Sequence, residues 1–366
     1  MLYYLLYPLR EWFFGFNLLK YITFRSLMAF FTAFLLGVII APFFIRRFSQ
    51  IGVKQAIRDD GPQTHLVKAG TPTMGGIFVM VAVLVSLLLW GMPVYYVWVT
   101  ALAIVLFGLI GFLDDYLKVR FRNSKGITEG TKFFMQVGVS LLLAVLVVLN
   151  PDPSQVLLFY VPIYDKPVFV WPLWLGIAFY VFTMVAFSNA TNLSDGLDGL
   201  ASGMGIILYI PFGIFAYVIG NAIAAQYLKF PYLPGAGELA VVIAALIGGY
   251  TAFLWYNVHP AEVFMGDTGS LPMGGTIALI AIFLKQEVLL VIAGGMFVLE
   301  TVSVLLQRSY FKWTKHTQGT GKRIFLMAPI HHHFEKKGWK ETQVVIRFWI
   351  LAALCALASL AFLKIR

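Results

Sequence analysis

Long apolar stretches alternate along the chain with short segments that hold nearly all of its ionisable residues. Ten such stretches can be delimited: 23–44, 74–89, 94–113, 133–149, 168–187, 200–219, 238–256, 271–284, 288–306 and 344–362. A helix that crosses a bilayer needs about 20 largely apolar residues, a length most of the ten approach, with 74–89 and 271–284 the short ones. The pattern predicts an all-α, polytopic membrane protein of about ten transmembrane helices, forming one domain over residues 1–366. The opening twenty residues, MLYYLLYPLREWFFGFNLLK, are aromatic-rich and lack both a basic leader and a small-residue cleavage site. They read as an interfacial segment and not as a removed signal.

Composition agrees with the pattern. The chain is 60% hydrophobic and 12% charged, with a mean hydropathy of +0.83, whereas a soluble domain has about a quarter of its residues charged. Its single cysteine, Cys355, lies inside the last run, so no intramolecular disulfide can form. The net charge of +10 is unevenly placed. Loops after the first, third and ninth runs carry 5, 5 and 8 lysines and arginines, against 0, 1, 1 and 1 after the second, fourth, sixth and eighth. That asymmetry puts both termini outside and the odd-numbered loops in the cytoplasm. The same cations can meet anionic lipid. They flank membrane spans and build no basic domain, which argues against a nucleic-acid partner.

The loops after the fifth and seventh runs contain no lysine or arginine, yet hold Asp195, Asp198, Glu262 and Asp267. Topology places these on the face where Asp114 and Asp115 close the third run, together with all six histidines. Each group has a structural alternative. Asp267 could cap the helix that follows it, and Asp195 and Asp198, beside Gly196 and Gly199, could be turn formers. In the stretch NATNLSDGLDGL (189–200), Asn189, Asn192, Asp195 and Asp198 recur every third residue. On a helix that interval turns each side chain by about 60° and makes one broad polar face; if the glycines break the helix, the same groups crowd a turn. Asp114–Asp115 is harder to explain structurally, because two acids at the negative end of a helix dipole are unfavourable. A cation should compensate them, either Lys118 with Arg120 or a divalent metal, and oxygen-only ligands at a wet membrane edge suit Mg²⁺. The run His331, His332, His333 is a poor single-metal site, since adjacent helical side chains point about 100° apart. A transporter would carry ionisable groups at mid-membrane, where only Glu300 qualifies, with Arg25 near an end.

Five blocks, DGPQTHLVKAGTPTMGG (60–76), GFLDDYLK (111–118), NATNLSDGLDGL (189–200), VFMGDTGSL (263–271) and APIHHHFEKKGW (328–339), resemble the signatures of the phospho-N-acetylmuramoyl-pentapeptide transferase family. The aspartate blocks alone would indicate only the wider polyprenyl-phosphate N-acetylhexosamine-1-phosphate transferases; the first and last blocks select the muramoyl-pentapeptide branch. The resemblance implies a reaction of UDP-N-acetylmuramoyl-pentapeptide with undecaprenyl phosphate, giving lipid I and UMP in peptidoglycan synthesis. It also implies Mg²⁺ as cofactor, a homodimer, and residence in the bacterial cytoplasmic (inner) membrane. It carries over Asp267, Asp114 and Asp115 as catalytic and metal-binding residues. The donor nucleotide sugar would be bound by Asn189, Asn192, Asp195, Gly196, Leu197 and Asp198, with Lys68, Asn257 and Phe264 around the uracil. Of His331, His332 and His333, the first two are expected nearest the pyrophosphate or sugar. A sibling transferase acting on UDP-N-acetylglucosamine is the nearest alternative.

Overall fold

The computed structural model describes residues 1–51, 70–121 and 126–364. The described residues are mostly helical: α1 (Leu2–Leu6), α2 (Ile22–Ile51), α3 (Gly76–Trp90), α4 (Tyr95–Arg120), α5 (Glu129–Val148), α6 (Leu173–Leu193), α7 (Leu200–Ile219), α8 (Ala222–Leu228), α9 (Leu239–Asn257), α10 (Asp267–Phe283), α11 (Glu287–Ala293), α12 (Gly295–Gln318), α13 (Ile330–Lys336) and α14 (Glu341–Ala361). Helix is what an apolar run must adopt in a medium that offers its backbone no partners. Among the described residues, seven helices are long and apolar enough to cross a membrane, or eight if the bent pair α11–α12 is one span; α3 and α10 are shorter apolar helices. This is a multi-pass membrane protein.

Each apolar run coincides with helix, with two departures. The run 168–187 opens in a strand, β2 (Phe169–Val170), paired antiparallel with β1 (Leu158–Phe159), and becomes helical only at Leu173. The run 288–306 is broken at Gly294, where α11 and α12 meet at 81°. Alternating apolar residues hide a short strand inside an apolar run, and a glycine pair interrupts a helix without a polar mark. Residues 2–20 form α1 and 3₁₀ turns that leave Trp12, Phe13 and Phe14 exposed, as an interfacial segment would.

Helix α10 occupies the centre, with all 17 residues buried, and is flanked by α4 and α6. Its approach to its neighbours is set by glycine. A Cβ at Gly111 of α4 would lie 2.1 Å from the Asp267 carbonyl oxygen, and one at Gly76 of α3 would lie 2.2 Å from the Gly269 nitrogen. These contacts bring the end of α4 against the start of α10. The outer helices turn Leu35, Ile39, Phe134, Leu141, Leu354 and Leu357 outward. Arg25 is not a free intramembrane charge: it is buried in a two-pronged pair with Glu238, both bonds at 2.5 Å.

Candidate active site

Three carboxylates meet where α4 passes the start of α10. Asp114, Asp115 and Asp267 are all buried, and one oxygen from each lies within 4.8 Å of the others. Each commits one oxygen to a protein donor. Asp114 Oδ1 accepts from the Ile127 N–H at 2.7 Å, Asp115 Oδ2 from the Thr268 N–H and hydroxyl at 2.9 and 2.7 Å, and Asp267 Oδ1 from the Asn192 amide at 2.6 Å. The other three oxygens face Lys118 Nζ, at 2.7 Å from Asp114, 3.7 Å from Asp115 and 3.1 Å from Asp267. Lys132 Nζ adds a second ammonium, 2.5 Å from Asp267 and 3.7 Å from Asp114.

This geometry revises two sequence expectations. Helix α4 does not end at Asp114–Asp115 but runs to Arg120, so these acids lie in its last turns and are compensated by Lys118 one turn on. Nor is Asp267 a cap. The N-cap of α10 is Gly266, at φ +70, a left-handed conformation that favours glycine, and Asp267 is the first helical residue. The unpaired N–H groups at the start of α10 are served instead by Asp115, reaching in from α4 to accept from Thr268. Of the two candidate lysine and arginine partners, Lys118 is engaged, whereas Arg120, among the described residues, donates to the Tyr116 hydroxyl at 3.5 Å. Lys132, counted from sequence only among the cations that set topology, proves to be part of the cluster. The three carboxylates form an oxygen-only donor set of the kind Mg²⁺ takes, with Lys118 and Lys132 as the ammonium groups now at its free oxygens.

The stretch 189–200 divides in two. Asn189 and Asn192 are on α6, which ends at Leu193, and residues 194–199 form the turn that enters α7. The glycines thus break the helix. Asn192 bridges Asp267 and the Ser270 hydroxyl, the latter at 2.9 Å. Asn189 instead pairs with Gln136 of α5 at 2.9 Å and with the Val185 carbonyl, so its bonds are to the scaffold. Asp195 faces the carboxylate cluster, and burial, with the charges of Asp267, Asp115 and Asp198, pushes it up to about 8. Leu197 is buried.

Asp198 turns to the other side, accepting from His259 Nδ1 at 3.0 Å and the Ala261 N–H at 3.2 Å, while Glu341 accepts from the Asp198 N–H at 2.9 Å. Asn257 is buried and fastens the turn to the α9–α10 loop: it accepts from the Gly199 N–H at 2.9 Å and donates to the Val263 carbonyl at 2.8 Å. Phe264 is half-buried on that loop. Its backbone pairs with Pro72 and Gly75, which seats the 72–76 segment beside the site. Lys68 lies outside the described residues.

The three histidines go to three places. His331 is fully buried, with Nδ1 3.1 Å from Glu300 of α12 and its ring against Gly196. His332 pairs with Glu335 at 2.7 Å, and His333 Nδ1 accepts from the Leu326 N–H at 3.1 Å. His331 reaches the 195–198 turn by a close contact with Gly196. Thr268, Glu300, His259 and Glu341 were not among the expected site residues. Glu300 alone left a signal, as a carboxylate inside an apolar run.

Comparison with known proteins places this arrangement in a class first: residues 97–285, which include both α4 and the start of α10, match glycosyl transferase family 4. Residues 68–79 match phospho-N-acetylmuramoyl-pentapeptide-transferase signature 1. The chain is 46% identical to proteins named phospho-N-acetylmuramoyl-pentapeptide-transferase from Thermodesulfovibrio yellowstonii, Brachyspira hyodysenteriae and Desulfotalea psychrophila, in each case over the full length of both chains. The chain belongs to the phospho-N-acetylmuramoyl-pentapeptide-transferase family.

Proposed function

We propose that the protein transfers phospho-N-acetylmuramoyl-pentapeptide from its UDP derivative to undecaprenyl phosphate, giving lipid I and UMP. The observation that carries this reading is the convergence of three carboxylates and two lysines at the edge of an apolar bundle, where a soluble nucleotide sugar and a membrane-bound phosphate can meet. Membership of the muramoyl-pentapeptide branch favours this donor over UDP-N-acetylglucosamine.

Asp114, Asp115 and Asp267 would hold Mg²⁺, which when bound neutralises the donor diphosphate and eases departure of UMP. Lys118 and Lys132 face the same oxygens, so they supply positive charge to phosphoryl groups arriving there. Asn192 and Thr268 fix the orientation of two of the three carboxylates. An aspartate of the cluster keeps the lipid phosphate ionised. Attack on the donor is direct, since a phosphate anion is already a competent nucleophile. The 195–198 turn receives the nucleoside diphosphate, and Phe264, with Lys68, receives the uracil, its ring offering a stacking face.

The site lies on the cytoplasmic side of the bacterial inner membrane, with ten spans, both termini outside, and a homodimer as the working form. The 18-to-3 division of loop cations supports this orientation, and the short helices α3 and α10 supply the two spans beyond the longer eight. Parallel assays in detergent with Mg²⁺ and polyprenyl phosphate test the donor assignment. Turnover of UDP-N-acetylmuramoyl-pentapeptide with none of UDP-N-acetylglucosamine is expected, and the converse would move the protein to the sibling activity.

A further inference from the structure

Glu300 is the one carboxylate that the apolar runs carry away from their ends, and the reaction outlined above has no use for it. It lies on α12, shortly after the break at Gly294, and is fully buried. Its Oε1 is 3.1 Å from Nδ1 of His331, which is equally buried. The bond to Glu300 occupies Nδ1, so Nε2 is the nitrogen left to work with. Nε2 has no hydrogen-bond partner among the described residues, and neither has Glu300 Oε2. A buried ring nitrogen without a partner is costly, and such groups call for an explanation in a native protein.

The surroundings supply one. Nε2 is directed at the middle of the 195–198 turn, so closely that a Cβ at Gly196 would lie 2.4 Å from it. Glycine at 196 is therefore the residue that lets the imidazole reach the turn. His332 pairs with Glu335 and His333 accepts from the Leu326 N–H; it is His331 whose Nε2 is aimed at the turn. Glu300 comes from a different helix and fixes the ring plane, as a carboxylate does behind a working imidazole.

We infer that Glu300 is a positioning residue, which holds His331 with Nε2 presented across Gly196 to the sugar-phosphate half of the bound donor. The inference rests on the reading of the 195–198 turn as part of the donor site. It assigns the otherwise unexplained carboxylate of α12 to orientation of the donor and not to proton transport through the membrane.

The test compares Glu300→Gln, Glu300→Leu, His331→Gln and the His331→Gln double variants by steady-state kinetics on both substrates, calorimetric UMP binding and thermal unfolding. Glu300→Leu is expected to lower kcat by about tenfold or more. UMP affinity should stay within about twofold of the parent, because UMP lacks the sugar-phosphate that Nε2 would touch. Glu300→Gln, whose carbonyl oxygen can still accept from Nδ1, should recover part of the loss. With His331→Gln already in place, either Glu300 substitution should cost less than about a further twofold. If His331→Gln is impaired while both Glu300 variants turn over like the parent, the inference is overturned and the donor-site reading stands. If His331→Gln is itself unimpaired, His331 does not serve the donor and both fall. Should Glu300→Leu fail to fold, Glu300→Gln decides: losses that add to those of His331→Gln mark a purely structural carboxylate and overturn the inference.

Discussion

Asp115 on α4 accepts two hydrogen bonds from Thr268 on α10, from its backbone N–H at 2.9 Å and its hydroxyl at 2.7 Å. One helix thus caps another, and the capping carboxylate keeps its second oxygen for the cluster. Thr268→Val, which preserves shape and removes the hydroxyl, should cost about 1.5–3 kcal/mol of stability, the range for a hydrogen bond to a charged group. Turnover should fall with it, and Thr268→Ser should restore both. Denaturation in detergent together with an activity assay reads the two effects. A Val variant as stable and active as the parent would mean that the backbone N–H alone sets Asp115.

Asp267→Asn should leave folding and membrane insertion intact and abolish nearly all turnover. The amide keeps the bond geometry toward Asn192 but removes the charge that Lys118 and Lys132 address and that a divalent cation would need. Mg²⁺ titration of the residual activity is the measurement. Ordinary rates with ordinary Mg²⁺ dependence would reduce Asp267 to a helix-terminal acid.

Phe264→Ala should weaken UMP binding by roughly 1–3 kcal/mol, the range for a base stacked on an aromatic ring, with polyprenyl phosphate affinity nearly unchanged. Asp114→Asn should do the reverse, depressing kcat with donor affinity retained. Calorimetry and two-substrate kinetics on both variants separate the roles. Equal losses of lipid and donor affinity in Phe264→Ala would identify its ring as packing.

Asp195 titrates near 8, far above an ordinary carboxylate, because burial and the charges of Asp267, Asp115 and Asp198 oppose its ionisation. An acid whose folded pKa is raised binds its proton more tightly in the folded state. Stability then falls as pH rises from the unfolded carboxylate range, about 4, through 8. Without added metal or donor, the melting temperature should drop across that window, and Asp195→Asn should flatten the slope. A parent and variant with parallel profiles would show that other groups carry the pH dependence.

The helices were legible in the sequence because hydrophobicity is a local property, and a run of apolar residues declares itself without reference to the rest of the chain. The aspartates were legible for a related reason: Asp114, Asp115, Asp195 and Asp267 are conspicuous against apolar flanks. Their partners were not. Lys118 could be proposed because it lies one turn from Asp114, but Lys132 lies on the next helix and its pairing with Asp267 depends on how α4, α5 and α10 pack. Asn189 looked equivalent to Asn192, yet they sit on α6 so that one meets Gln136 and the other Asp267. The link from Glu300 to His331 and that from Asp198 to Glu341 join separate elements, and no periodicity predicts them. The break at Gly294 escaped notice because it exposes no polar residue.

The two lysines give the cluster a built-in counterion. Three carboxylates against two tethered ammonium groups leave a residual charge near minus one, small enough for the helices to close around it unaided. Assembly of the bundle then does not require a divalent cation, and chelation should stop turnover while lowering the melting temperature only by the amount that the bound ion itself contributes. Under the metal reading proposed above, such a protein would be inserted and folded before its divalent cation arrives, and would wait, intact, for it.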